Sequence, residues 1–524
     1  MSKLDSLLPI IEAHLPELKQ PGVISIRPGY KLENDWPTSQ PAIVVITSKG
    51  AGKVELPQQV GGIPVDAREA TDVEQVRYQK PQKYAVLAAQ HPELNAGAFR
   101  EFDPDAEAGV AEVEAAGAPE LMAAKPHIEY TGPEGVSLQS VTGKISVLCH
   151  ASPDAGSPQL KKFVSETQET LTVGLYDFTS EHILDCVKAS LGGGKKLEIT
   201  LDNPALNPTA DQSDPATLDA LKAALGYSLS AAWALVRSNK DIQQWIFPNA
   251  YHIKVAVRDS EAVWLSSGNW NNSNQPDIDP ISTPGGDDQA TARKSDRDWH
   301  VIIENRDLAG DLEAYLKHDY EVASTHAPVA GPGVAAATPA EAVPESFRGE
   351  TTATWTFFKP LSLEEDMTIT PLLTPDKGVY TSAMLNLLNS ADEKLYIQLQ
   401  YIHPPREDQD PEFADLIGAV TKKIGDGKDV KIILSQYQTS HGWLERLQEA
   451  GISLDNVKIQ NGVHNKGFLV DSKIVALGSQ NWSGDGVLRN RDASVIIENR
   501  KAAGYYEEIF LHDWDNIARK SVRS

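Results

Sequence analysis

The sequence predicts an α/β fold: two repeated α/β/α sandwich domains with mixed sheets, packed as a pseudo-twofold dimer, plus a small N-terminal α+β accessory domain. Three observations predict it. Strand-like and helix-like segments alternate through most of the chain, one block of motifs occurs twice, and residues 1–90 follow a different pattern.

Taken in order, "MSKLDSLLPIIEAHLPEL" reads as a short amphipathic helix. Asp5, Glu12 and Glu17 interrupt its apolar part and no small-residue cleavage site follows, so it does not read as a secretory signal. "VISIRPGY" and "PAIVVITSK" read as strands, with a turn at Gly61-Gly62, and complete the accessory domain over 1–90. An Ala/Glu-rich linker is expected over 91–139 and an Ala/Pro-rich one over 325–350. They bound a first repeat at 140–324 and a second at 351–524.

Each repeat has the same plan. "PQLKKFVSETQET" (158–170) and "YTSAMLNLLNSAD" (380–392) read as helices before the apolar strands "LTVGLYDF" (171–178) and "LYIQLQYI" (395–402). The helices "EHILDCVKAS" and "FADLIGAVTKKI" then precede the strands "KKLEITLDN" and "DVKIILSQ". "GGGKK" (192–196) has no Ser or Thr after its lysines and reads as a turn ending a helix, not a phosphate loop.

Composition narrows the class. A chain of 524 residues is expected to form two or three domains. No run approaches the roughly eighteen apolar residues of a membrane span, so a cytoplasmic location is expected. Cys149 and Cys186 have neither metal-ligand spacing nor a disulfide framework. The net charge of −25 opposes general coating of nucleic acid, although not a local basic cleft.

The doubled block is the informative feature. "YHIKVAVRDSEAVWLSSGNW" (251–270) matches "VHNKGFLVDSKIVALGSQNW" (463–482) without a gap. His252, Lys254, Asp259, Ser267, Asn269 and Trp270 thus match His464, Lys466, Asp471, Ser479, Asn481 and Trp482. "RDWHVIIENR" (297–306) pairs with "RDASVIIENR" (491–500), and "ISVLCHASPDAG" with "MTITPLLTPDKG". The insertion 271–295 makes the connection from Asn269 to Asp298 eighteen residues longer than that from Asn481 to Asp492.

The spacing H-x-K-x4-D-x6-G-S-x-N, present twice, resembles the phospholipase D superfamily. The second copy fits throughout, whereas Ser266 occupies the glycine position of the first. The resemblance implies a phosphodiesterase with no cofactor, and a site that one chain completes by itself. No metal is expected, because no His/Cys/Asp/Glu cluster with metal spacing accompanies the motifs.

The residue types suit that chemistry. Lys254 and Lys466 would neutralise a phosphodiester, with Asn269 and Asn481 donating hydrogen bonds. One imidazole attacks phosphorus while the other, protonated, serves the leaving alkoxide. The resemblance assigns the nucleophile to His252 and the acid to His464, with Asp298 and Asp492 fixing the imidazole tautomers. Ser267 and Ser479 are expected to hold phosphate or the neighbouring loop.

Other residues are expected to be structural. Asp259 and Asp471 would cap, and Glu304 and Glu498 would pair with Arg306 and Arg500. Trp270 and Trp482 would pack in the core or else meet substrate, and His403 is expected to be non-catalytic. A glycerophospholipid is the favoured substrate. A nucleic-acid phosphodiester is the alternative, and a non-catalytic binding protein a third reading.

Overall fold

The computed structural model describes residues 3–81, 84, 97–102, 130–202, 211–237, 243–245, 250–282, 286–325, 355–376, 378–405 and 409–521. The linker expected at 325–350 falls almost wholly outside them, and that expected at 91–139 is described only over 97–102 and 130–139.

The accessory unit holds β1 (Val23–Glu33), β2 (Trp36–Thr47), β3 (Gln59–Val60) and β4 (Ile63–Glu69), in the order β1-β2-β4-β3. Its boundary lies past residue 90, because Phe102 returns to pair with Ile26. The expected N-terminal helix is broken: Asp5–Leu7 is a 3-10 turn, and Leu8–Ala13 and Leu15–Leu18 are separate helices, each with proline in its first turn. The unit seats on the second repeat through buried Glu445, which takes Arg27 at 3.4 Å and Arg68 at 2.9 Å.

The first repeat contributes β5 (Val141–Ser152), β6 (Thr170–Leu175), β7 (Lys196–Leu201) and β8 (Leu229–Trp233). After a small ribbon of β9 (Leu235–Arg237) and β10 (Gln243–Trp245) come β11 (Lys254–Arg258), β12 (Ala262–Ser266) and β13 (Asp298–Glu304). The second supplies β14 (Leu361–Thr374), β15 (Lys394–Leu399), β16 (Asp429–Leu434), β17 (Val457–Ile459), β18 (Lys466–Val470), β19 (Ile474–Gly478) and β20 (Asp492–Glu498).

These strands form one sheet of fourteen, ordered β17-β16-β15-β18-β19-β20-β14-β5-β13-β12-β11-β6-β7-β8. From the central β14–β5 pair outward, the two halves read identically. That pair is antiparallel and runs from Leu361 opposite Cys149 to Ile369 opposite Val141. The halves of the expected two-repeat arrangement are therefore joined edge to edge through one sheet.

Helices cover both faces, so the strands carry near-continuous apolar runs. Alternation sends Ala256 toward helices 156–165 and 181–191, while Val255 and Val257 face helix 306–324. In the second repeat, helices 379–390 and 411–425 cover one face and helix 500–512 the other. The cluster under helices 306–324 and 500–512 runs across both repeats and forms a shared core.

Asn305 and Asn499 cap those two helices by accepting backbone N–H groups. Arg306 pairs with Glu261 and not with Glu304, which is exposed, as is Glu498. The expected Glu–Arg pairs therefore give way to asparagine caps. Among the described residues no helix is long and apolar enough to cross a membrane.

Candidate active site

Each motif begins just before the first strand of a hairpin, β11–β12 or β18–β19. Asp259 and Asp471 brace the hairpin turns. Asp259 accepts the N–H groups of Gln168, Glu169 and Thr170, each at 2.8 Å, and Asp471 those of Asp392, Glu393 and Lys394 at 2.9–3.0 Å. Both are structural, as expected. Trp270 and Trp482 are fully buried, against Phe178 and Phe468 respectively, which places them in the core.

The two repeats exchange carboxylates. His252 Nδ1 lies 2.8 Å from Asp492 Oδ1, and His464 Nδ1 lies 2.9 Å from Asp298 Oδ1. Each imidazole is thus oriented by an aspartate of the other repeat. An ionised carboxylate only accepts, so Nδ1 carries the proton and Nε2 the lone pair. The exchange follows from backbone pairing between repeats. Arg297 N donates to Gly462 O at 2.6 Å, His464 N to Arg297 O at 3.1 Å, and Arg491 N to Ala250 O at 2.7 Å.

Ser267 and Ser479 are fully buried and serve these carboxylates. Ser267 Oγ donates to Asp298 at 2.7 Å and Ser479 Oγ to Asp492 at 2.5 Å. Each also accepts a backbone N–H, from Trp299 and Ala493, at 3.1 Å. Their hydroxyls are committed to the aspartates and the backbone beside them, so of the two expectations, phosphate or the neighbouring chain segment, these contacts fit the second.

The lysines lie beneath the imidazoles. Lys254 Nζ donates to His252 O at 2.5 Å and Lys466 Nζ to His464 O at 2.6 Å. Lys466 Nζ is also 3.3 Å from both ring nitrogens of His464. The crossed dyads bring the two motifs into one site, where the Lys466 charge also acts on His252 and Lys254.

Burial, reinforced by Lys254, holds His252 down at about 4 against the pull of Asp492. Burial and Lys466 also lower His464. Burial pushes the Lys254 ammonium well below its ordinary value, with Lys466 adding to the effect. Asp298 moves the other way: burial would raise it, but His464 and Lys466 bring it to about 2. Burial therefore favours neutral imidazoles beside an ionised Asp298.

Asn269 and Asn481 are buried, and their amide oxygens have no protein hydrogen-bond partner among the described residues. The insertion supports the first: Asn269 N donates to Asn274 Oδ1 at 2.9 Å, and Asn274 Nδ2 to Asp296 at 3.1 Å. It closes on itself and returns the chain to Asp298 despite its extra length.

Sequence reasoning missed Tyr176, whose ring is 5.0 Å from that of His252, with Lys254 Nζ 5.3 Å from its centre. It also missed the use of Ser266, whose hydroxyl meets His300 Nδ1 at 2.6 Å and Gly268 N at 2.8 Å. The departure from glycine is thus matched by a histidine where the second repeat has Ser494. His403 is buried in a stack with Trp443 and Tyr401, apart from the dyads. Among the described residues no set of three or more His, Cys, Asp or Glu converges as a metal site.

Comparison with known proteins finds similar chains. Residues 384–514 match the family described as cardiolipin synthase, PLD-like domain. Proteins named phospholipase D from Rickettsia conorii and Rickettsia felis are each 28% identical over 150 residues, which is 28% of this chain and 68% of theirs. Among solved structures, Haemophilus influenzae phosphatidylserine synthase aligns over 71% of this chain and 88% of its own, at 15% identity and TM-score 0.48. Nuc from Salmonella typhimurium, a phospholipase D family member, aligns over 29% of this chain and 97% of its own, at 19% identity and TM-score 0.25. With both copies of the motif intact and their dyads assembled, the chain is similar to the phospholipase D superfamily, and its residues 384–514 match that family's PLD-like domain.

Proposed function

We propose that this enzyme hydrolyses the headgroup phosphodiester of a glycerophospholipid through a covalent phosphohistidine. The observation that carries the reading is the pair of histidine–aspartate dyads, each built across the repeats and each with a lysine beside it. His252 Nε2 attacks phosphorus; the P–N bond forms as the P–O bond to the headgroup breaks. Protonated His464 gives its proton to the departing alkoxide. Water then attacks phosphorus and passes a proton to His464. The P–N bond breaks, leaving phosphatidate and neutral His252.

Lys254, Lys466, Asn269 and Asn481 hold the anionic oxygens through both steps. An arriving phosphodiester favours protonation of the acid imidazole and of Lys254. Burial and Lys254 keep the His252 ring neutral, which is the reactive form of a nucleophile. The lipid preference draws support from the Rickettsia relatives and from the net charge of −25, which disfavours polyanions.

The test is hydrolysis of phosphatidylcholine vesicles and of single-stranded DNA in EDTA by wild type, His252→Ala and His464→Ala. Choline release by the wild type is expected, with losses on the order of 10²–10⁴-fold in both variants. Cleavage of DNA alone would transfer the reading to nucleic acid. Equal activity in all three proteins would overturn it.

A further inference from the structure

The residue before each catalytic aspartate is a buried arginine, Arg297 or Arg491, and the two have equivalent surroundings. Arg297 donates to Asp513 through Nε at 3.0 Å and a terminal nitrogen at 3.2 Å, and to Ser152 O at 3.1 Å. It also pairs with Asp154. Arg491 donates to Asp319 at 2.8 and 3.0 Å, to Thr374 O at 3.3 Å and to Tyr130 Oη at 2.8 Å, with Asp376 at 3.6 Å. Ser152 and Thr374 stand opposite the two aspartates at the ends of β5 and β14.

Each arginine therefore ties three parts together: the strand end of its own repeat, the last helical segments of the other repeat, and, through its backbone, the stretch carrying the other repeat's histidine. The Asp513 clamp extends further, accepting Gln398 Nε2 at 3.0 Å and Gln460 Nε2 at 3.1 Å. Gln398 Oε1 in turn accepts Asn465 Nδ2 at 3.3 Å, next to His464. A planar guanidinium holding a carboxylate by two bonds fixes direction as well as distance.

We propose that Arg297 and Arg491 are positioning residues, each aiming the following aspartate at the histidine of the other repeat. Arg297 thereby serves His464 and Arg491 serves His252. The assignment of steps rests on the two-histidine reading above. It yields a pattern that loss of stability alone does not produce. p-Nitrophenolate needs no protonation to leave, so the first half-reaction on bis(p-nitrophenyl) phosphate depends on the nucleophile and little on the acid.

The experiment is stopped-flow release of p-nitrophenolate by full-length wild type, Arg297→Lys, Arg491→Lys, His252→Ala and His464→Ala. Asp513→Asn and Asp319→Asn, which loosen each clamp without changing its shape, accompany them in case a buried lysine prevents folding. His464→Ala is expected to release a burst and stall, and His252→Ala to give none. Arg297→Lys and Asp513→Asn should keep a fast burst with turnover slowed by up to about 100-fold, and Arg491→Lys and Asp319→Asn should slow the burst itself by a similar factor.

Arginine variants that lose only burst amplitude, at wild-type rates, would overturn the proposal, because fewer folded molecules explain that result. If the two histidine variants exchange behaviours, the assignment of nucleophile and acid fails. The positioning proposal then stands only if Arg297 still follows His464 and Arg491 still follows His252.

Discussion

At the scale of single residues, the chemistry depends on what each aspartate touches. Asp492 Oδ1 takes both the His252 ring and the Ser479 hydroxyl, and Asp298 does the same for His464 and Ser267. Asp492→Asn leaves the shape but allows the amide to donate to Nδ1, which favours the wrong tautomer. A fall in kcat on the order of 100-fold or more is expected in steady-state assays. Ser479→Ala removes one hydrogen bond to a charged acceptor and should cost about tenfold, with KM little changed. The histidines, lysines, asparagines and aspartates were legible because polar groups recur at fixed spacing in a doubled pattern. Ser267 and Ser479 were legible as residues but not as roles, since sequence does not show which way a hydroxyl points. Arg297 and Arg491 carried a signal, the Arg-Asp pair opening both copies of a shared segment, but only burial shows its use.

At the scale of elements, β12 and β19 show how a departure from the repeat is accommodated. Gly478 has no room for a side chain, because a Cβ there would overlap Ser494 Oγ and Ala493 O. Ser266 fits at the equivalent place because His300 accepts or donates at its hydroxyl, and His300 Nε2 is held by Ser152 Oγ at 2.8 Å. Gly478→Ser should therefore destabilise by about 1–3 kcal/mol in denaturant titrations through overpacking. Ser266→Gly should cost about 1–3 kcal/mol by leaving a buried imidazole nitrogen unsatisfied. Most strands and helices were legible from periodicity, since strands buried on both faces read as short apolar runs. The N-terminal helix was misread because Pro9 and Pro16 each open a new helix where one continuous helix was expected. The exchange of aspartates was not legible, because it depends on short backbone pairings at 250–251 and 462–464 that leave no compositional trace.

At the scale of the whole molecule, duplication supplies two histidines, and one continuous sheet fixes their relation. The repeat was legible; the joining of the halves through β5 and β14 was not, since two strand edges look alike whether paired or covered. The buried histidines also set the acid response. Burial lowers His252 and His300 to about 4, and holds His150 and His403 well below 6.5. The unfolded chain binds protons at these groups as pH falls below 6.5, while the folded chain does not. The contribution of His252 and His300 is therefore fully present above pH 6.5 and is lost toward pH 4, by up to about 1.4 kcal/mol per pH unit for each, and that of His150 and His403 falls in the same direction. His403→Phe keeps a ring to stack on Trp443 and should reduce that slope by one group's share, as read from denaturant midpoints across the interval. The central claim, that two repeats form one site with a single nucleophile, is tested most directly by trapping the intermediate. His464→Ala mixed with bis(p-nitrophenyl) phosphate, quenched and mapped by peptide mass spectrometry, should carry a phosphoryl adduct on His252. An adduct on any other residue, or turnover without one, would contradict the account.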